Sequence, residues 1–104
     1  MSNEGLEMSG ENKTYYYHRG FFIRPDMVGA LELYVNKGID PGSFLTAVIQ
    51  NKGLFEVCDL ADDINIRNLP AFVGYLWNEA PSTCWGSKEK MDAWKKRLKQ
   101  KRGD

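Results

Sequence analysis

Four prolines and a set of interspersed glycines put a ceiling on helix length in this chain. Proline lacks the amide donor that a helix interior needs and clashes with the preceding turn, so it starts a helix readily and breaks one elsewhere. Pro25, Pro41, Pro70 and Pro81 therefore mark starts, kinks or stops, and Gly38, Gly53 and Gly86 mark turns between them. Every segment left is short. A chain built this way must draw its stability from packing short helices together, because isolated helices below about 12–15 residues are marginal in water.

The apolar spacing within the segments is helical. In DMVGALELYVNKG, residues Met27, Val28, Leu31, Tyr34 and Val35 fall on one face, after Pro25 and Asp26 at the start and before Lys37-Gly38 at the stop. Asp40 is placed to cap the next helix with Pro41 at its first position, and Phe44, Leu45, Val48 and Ile49 form its stripe. LFEVCDLA gives a shorter helix expected to turn Leu54, Phe55, Cys58 and Leu60 inward. Asp62 or Asp63 caps another near Ile64, and Pro70 kinks or restarts it with Asn68 as a new cap. Leu69, Phe72, Val73, Leu76 and Trp77 then make the strongest amphipathic stripe in the chain. Ser87 caps the last helix, which has Glu89 in its first turn and Met91, Trp94 and Leu98 on one face.

KTYYYHRGFFI, Lys13 to Ile23, departs from this spacing. Its aromatic and β-branched residues suit one or two short strands around Arg19-Gly20, or an extended arm whose rings pack on the helices. Three consecutive tyrosines cannot all point inward. The expected fold is all-α: a compact bundle of four or five short helices, with room for a small β-like element at Tyr15–Ile23. Residues 1–13 are expected to form a flexible acidic tail, 14–99 the single helical domain, and 100–104 a basic tail.

With 104 residues there is room for one core, and oligomerisation would add stability cheaply. No apolar run approaches the roughly 18 residues of a membrane span, and the polar start has no apolar leader segment, so a cytoplasmic protein without membrane contact is expected. The net charge is zero, yet residues 88–104 hold eight basic side chains against three acidic ones. That terminal segment carries +5 and the remainder −5, a polarity suited to head-to-tail assembly or to an acidic partner.

Several constellations carry chemical options. Trp85, on a turn before the basic helix, either staples the two flanking helices together near Met91 or stands out as an interface anchor. Around it Lys88, Lys95, Lys96 and Arg97 would meet an acidic partner surface. Tyr15, Tyr17, Arg19 and Arg24 set rings beside cations, as a nucleotide site between subunits would require. Lys95, Lys96, Arg97, Lys99, Lys101 and Arg102 could contact nucleic-acid phosphates, against the repulsion of an otherwise acidic chain. Cys84 near Lys88 and Lys90 could have a lowered pKa, but the single histidine, His18, is far away in sequence. Cys58, Cys84 and His18 lack the short-spaced pair that nucleates a zinc site. Asp59, Asp62 and Asp63 fit helix capping better than a calcium loop, with Arg67 as the i,i+4 partner of Asp63. Two isolated cysteines are expected to be reduced thiols. No phosphate loop, nucleophile elbow or HExxH occurs, so neither enzyme activity nor a cofactor or metal is expected.

PGSFLTAVIQN (Pro41–Asn51), ADDINIRNLPAFVGYLWNEAP (Ala61–Pro81) and CWGSKEKMDAW (Cys84–Trp94) resemble segments of short bacteriophage- and prophage-encoded proteins without an assigned activity. The resemblance covers about Arg24 to Lys96. It implies a small accessory factor that binds and inhibits or redirects a host protein or complex, inhibitors of host defence included. The implication is one of context and carries no individual residue role. A symmetric oligomer that sequesters a nucleotide-type signal, and a nucleic-acid binder, are the alternatives.

Overall fold

The computed structural model describes residues 14–101, so the expected tail at 1–13 and the last residues of the tail at 100–104 lie outside it. The chain runs β1 (Tyr16–His18), β2 (Phe21–Ile23), α1 (Pro25–Lys37), α2 (Ser43–Ile49), α3 (Leu54–Leu60), α4 (Asp63–Arg67), α5 (Leu69–Glu79), a single 3-10 turn (Ser82–Cys84) and α6 (Lys88–Lys101). The fold is mostly helical, as expected. One departure qualifies that: six α-helices, rather than four or five, are present among the described residues; the N-terminal segment takes the two-strand option, an antiparallel hairpin about Arg19-Gly20, so the domain is not strictly all-α.

The hairpin follows from its turn. Arg19 and Gly20 both have positive φ, 54° and 83°, the pairing whose twist matches that of the flanking strands. Tyr16 pairs with Ile23, Tyr17 with Phe22 and His18 with Phe21. Strand alternation then sends Tyr16 and His18 toward α5 and leaves Tyr15 and Tyr17 exposed. The three tyrosines divide as the alternation demands.

α5 is the centre of the fold. Both strands pack on it, and α2 contacts it as well as α3; α1 lies against α6, and the 3-10 turn against α6. Ile23, Leu31, Tyr34, Leu45, Ile49, Phe72, Cys84 and Met91 are fully buried, each large side chain contributing roughly 1.5–3 kcal/mol relative to exposure.

Buried polar groups lock the elements in register. Trp94 Nε1 donates to Val35 O (3.1 Å) and Tyr34 O (3.3 Å), two of the last carbonyls of α1, the second of which also accepts from the cap amide Gly38 N (2.8 Å). Tyr34 Oη donates to Cys84 O at 2.7 Å, tying α1 to the 3-10 turn. Asn68 accepts from Phe22 N (2.9 Å) and donates to Ile64 O (2.8 Å), so it joins the hairpin to α4 instead of capping α5 with its side chain. α1 closes on Gly38 (φ 72°), where a Cβ would come within 3.0 Å of Leu98 Cβ on α6.

Some local expectations are corrected. Asp40 does not cap α2: its carboxylate accepts from Gly42 N and also meets Lys95, and the helix begins at Ser43. Asp62 does cap α4, accepting from Asn65 N at 2.7 Å, but it pairs with Arg24, and Asp63 and Arg67 do not pair. α3 buries none of its residues, so Leu54, Phe55, Cys58 and Leu60 do not turn inward. On α5 the inward residues are Ala71, Phe72, Tyr75 and Leu76, while Val73 and Trp77 face out. The reason is that LPAFVGYLW is apolar over more of its circumference than its neighbours can cover.

Candidate functional site

Those two corrections meet on one side of the molecule. Leu54 (70% exposed), Val73 (63%) and Trp77 (74%) form an apolar face on α3 and α5, and Phe55 (92%) adjoins Leu54 in α3. Single exposed apolar residues are ordinary, but a cluster of this kind is a candidate interaction surface.

Two grooves flank the outer edge of α5 and share Leu69 and Val73 as walls. The first, of about 280 Å³, lies between α5 and the α2–α3 corner and is walled by Val48, Leu54, Val57 and Phe72. The second, of about 720 Å³, lies between α5 and the hairpin turn and is lined by His18, Arg19, Pro70, Gly74, Trp77 and Asn78. Gly74 makes the second groove possible. A Cβ there would stand 2.5 Å from His18 Cγ, so glycine lets the histidine ring rest directly on the helix backbone.

Trp85 is attached to this face. Its ring centroid lies 5.9 Å from that of Trp77 at an interplanar angle of 54°, and the residue is half-buried against the core. Its indole N–H is buried without a hydrogen-bond partner. Trp85 is thus neither a fully sealed staple nor a free-standing anchor.

The α6 cations are arranged differently. Lys88 pairs with Asp92 (2.6 Å), Lys95 with Asp40 (3.4 Å), and the Arg97 guanidinium sits 4.4 Å from the centroid of the Trp94 ring. Lys96 is exposed, and none of the four lines either groove.

The ring-and-cation set is also divided. Tyr15 and Tyr17 stack at 5.9 Å and 23°, with Phe22 edge-on to Tyr15. Arg24, however, is held by Asp62 at 3.1 Å and Asp26 at 3.4 Å, and Arg19 lines the groove beside Trp77.

The electrostatics of the buried groups are clear. Burial pushes the Cys84 thiol up to about 11, contrary to the lowering expected from nearby lysines, so it is protonated near neutral pH. Burial likewise raises Tyr34, and raises Tyr75 to about 12. Among the described residues no three His, Cys, Asp or Glu side chains converge as metal ligands, and no helix is long and apolar enough to cross a membrane.

Sequence reasoning missed Leu54, Phe55, Val73 and Trp77 as surface residues. The available signal was the near-continuous apolar run of α5, too wide for one buried face in a chain with few layers. Comparison of the chain with known protein families, with characterised proteins and with solved structures gave no match.

Proposed function

We propose that this protein is a binding module that engages another protein through the face built by α3, α5 and Trp85. The observation that carries the reading is the joint exposure of Leu54, Val73 and Trp77, which wall two adjoining grooves. Association costs roughly 4–15 kcal/mol before any net affinity appears, while each fully buried large side chain returns about 1.5–3 kcal/mol. Trp85 alone, already half-buried, cannot offset that. Leu54, Phe55, Val73 and Trp77 together can.

The resemblance of the sequence to phage-encoded proteins supplies the setting. In that setting the partner is a host protein or complex in the bacterial cytoplasm, and the module blocks or redirects it, counter-defence being one such use. The function needs no catalytic step. The nucleotide-sequestering alternative keeps the stacked Tyr15–Tyr17 pair but loses Arg24 to Asp62, and the nucleic-acid alternative keeps exposed Lys96, Lys99 and Lys101 but loses Lys95 to Asp40 and has Arg97 over the Trp94 ring.

The test is a double substitution, Phe55→Asp with Val73→Asp. Both sites are exposed, so stability should change by no more than about 0.5 kcal/mol each. Retention of the partner by immobilised protein should be abolished at an unchanged melting temperature. Retention at the wild-type level would overturn the proposal.

A further inference from the structure

Resting on the binding role just proposed, the chemistry of the groove beside Trp77 narrows the partner. Arg19 and His18 are the ionisable residues that line it, and no carboxylate does. The rest of the lining is Leu69, Pro70, Val73, Gly74, the face of Trp77 and the Asn78 amide. Arg24, Lys52, Lys88 and Lys95 pair with carboxylates, whereas Arg19, like Arg67, Lys96 and Lys99, has no ion pair among the described residues, and of these unpaired cations it is Arg19 that lines this groove. Its backbone adds a second, independent observation. Arg19 holds φ 54° at the first position of a two-residue turn, where Asn, Asp or Gly is strongly favoured. A residue kept in a costly conformation, with its charge unpaired at a groove, points to use of the side chain.

We infer that this groove takes a peptide segment of the partner in which an acidic side chain stands next to a large apolar one. Arg19 receives the carboxylate, Trp77 and Val73 receive the apolar group, and His18 supplies a further ring N–H. The occupant is a peptide rather than a small anion because the apolar surface continues past Leu69 and Val73 into the first groove, between α5 and the α2–α3 corner, where Asn51 is the lone polar side chain. One end of the site selects charge and the other buries apolar surface, which suits an extended or helical segment.

The experiment is selection of a random peptide library, displayed on yeast, against the full chain and against Arg19→Glu and Arg19→Asn. The wild type should enrich Asp or Glu beside Trp, Phe or Leu, and Arg19→Glu should turn that preference toward Lys or Arg. Arg19→Asn, better suited to the turn, should keep or raise the melting temperature. It should weaken a selected synthetic peptide about tenfold or more, as loss of a charge-assisted contact requires. Enriched peptides without acidic preference, or undiminished by Arg19→Glu, would overturn the inference and leave the binding role standing. Absence of any enriched peptide would also overturn it. So would a second copy of the chain filling the face, seen as a doubled mass that Val73→Asp returns to a monomer.

Discussion

Substituting Gly74 by alanine should reverse its effect on stability according to what occupies position 18. The new methyl would lie 2.5, 2.6 and 2.7 Å from His18 Cγ, Cδ2 and Nδ1, while carbon contacts settle at about 3.5–4.0 Å. The ring, and the turn that carries it, must retreat by about 1 Å, and overpacking of this kind costs about 1–3 kcal/mol. Against that, alanine is favoured over glycine inside a helix by about 1 kcal/mol. Gly74→Ala should therefore destabilise the wild type by about 1 kcal/mol, lowering the melting temperature by about 4–8 °C. In a His18→Ala background the ring is gone and only the propensity gain remains, so the same change should stabilise by about 1 kcal/mol. Urea unfolding of the four proteins, followed by circular dichroism, gives a coupling of about 2 kcal/mol. If Gly74→Ala has the same sign and size in both backgrounds, within about 0.5 kcal/mol, the packing of the hairpin on α5 is not as described. The same single mutant should weaken peptide binding, because the Arg19 turn moves with His18.

Three further outcomes concern Asn68, Cys84 and the capping carboxylates. Asn68→Ala leaves Phe22 N–H without its acceptor and should cost about 1–3 kcal/mol, with faster amide exchange at Phe22 in hydrogen-exchange experiments. Cys84 holds its proton to about pH 11 when folded and to about 9.0 when unfolded. Stability should therefore fall as pH rises through that interval, and a thiol reagent should modify half-buried Cys58 rapidly but Cys84 only as fast as the protein unfolds. Asp62 and Asp40 are held below the ordinary 3.8, chiefly by the amides of Asn65 and Gly42. Their contribution is complete above that value and is lost as pH falls through their folded pKa values, so Asp62→Ala should flatten the acid limb of the stability curve.

What the sequence made legible was everything set by local rules. Pro25 and Gly38 bound α1, Ser87 Oγ accepts from Lys90 N at the start of α6, and the Arg19-Gly20 turn joins two strands. Met91 and Trp94 are buried as their spacing implies, and Asp62 is a cap. The burial of α3 and the orientation of α5 were not legible. Leu54 and Phe55 look like core residues in any local reading, and only the placement of the hairpin and α2 on α5 decides which of its apolar sides is left open. The same applies to Asn68, whose side chain is taken by Phe22, 46 residues earlier in the chain. Charge was readable in total but not in pairing: Lys95 is neutralised by Asp40 across the fold, while Arg19 is left alone beside Trp77. The exposed apolar face therefore emerges where short-range pattern and tertiary coverage disagree.

The most direct test of that face is site-specific photo-crosslinking in bacterial cells. A benzophenone amino acid is placed in turn at Phe55 and Trp77 on the face, and at exposed Leu33 and Lys96 on α1 and α6. A discrete protein adduct from Phe55 and Trp77, absent from Leu33 and Lys96 and lost when Val73→Asp is added, is the expected result. Adducts that form from Lys96 or Leu33, or that persist unchanged with Val73→Asp, would place the partner elsewhere and contradict the account.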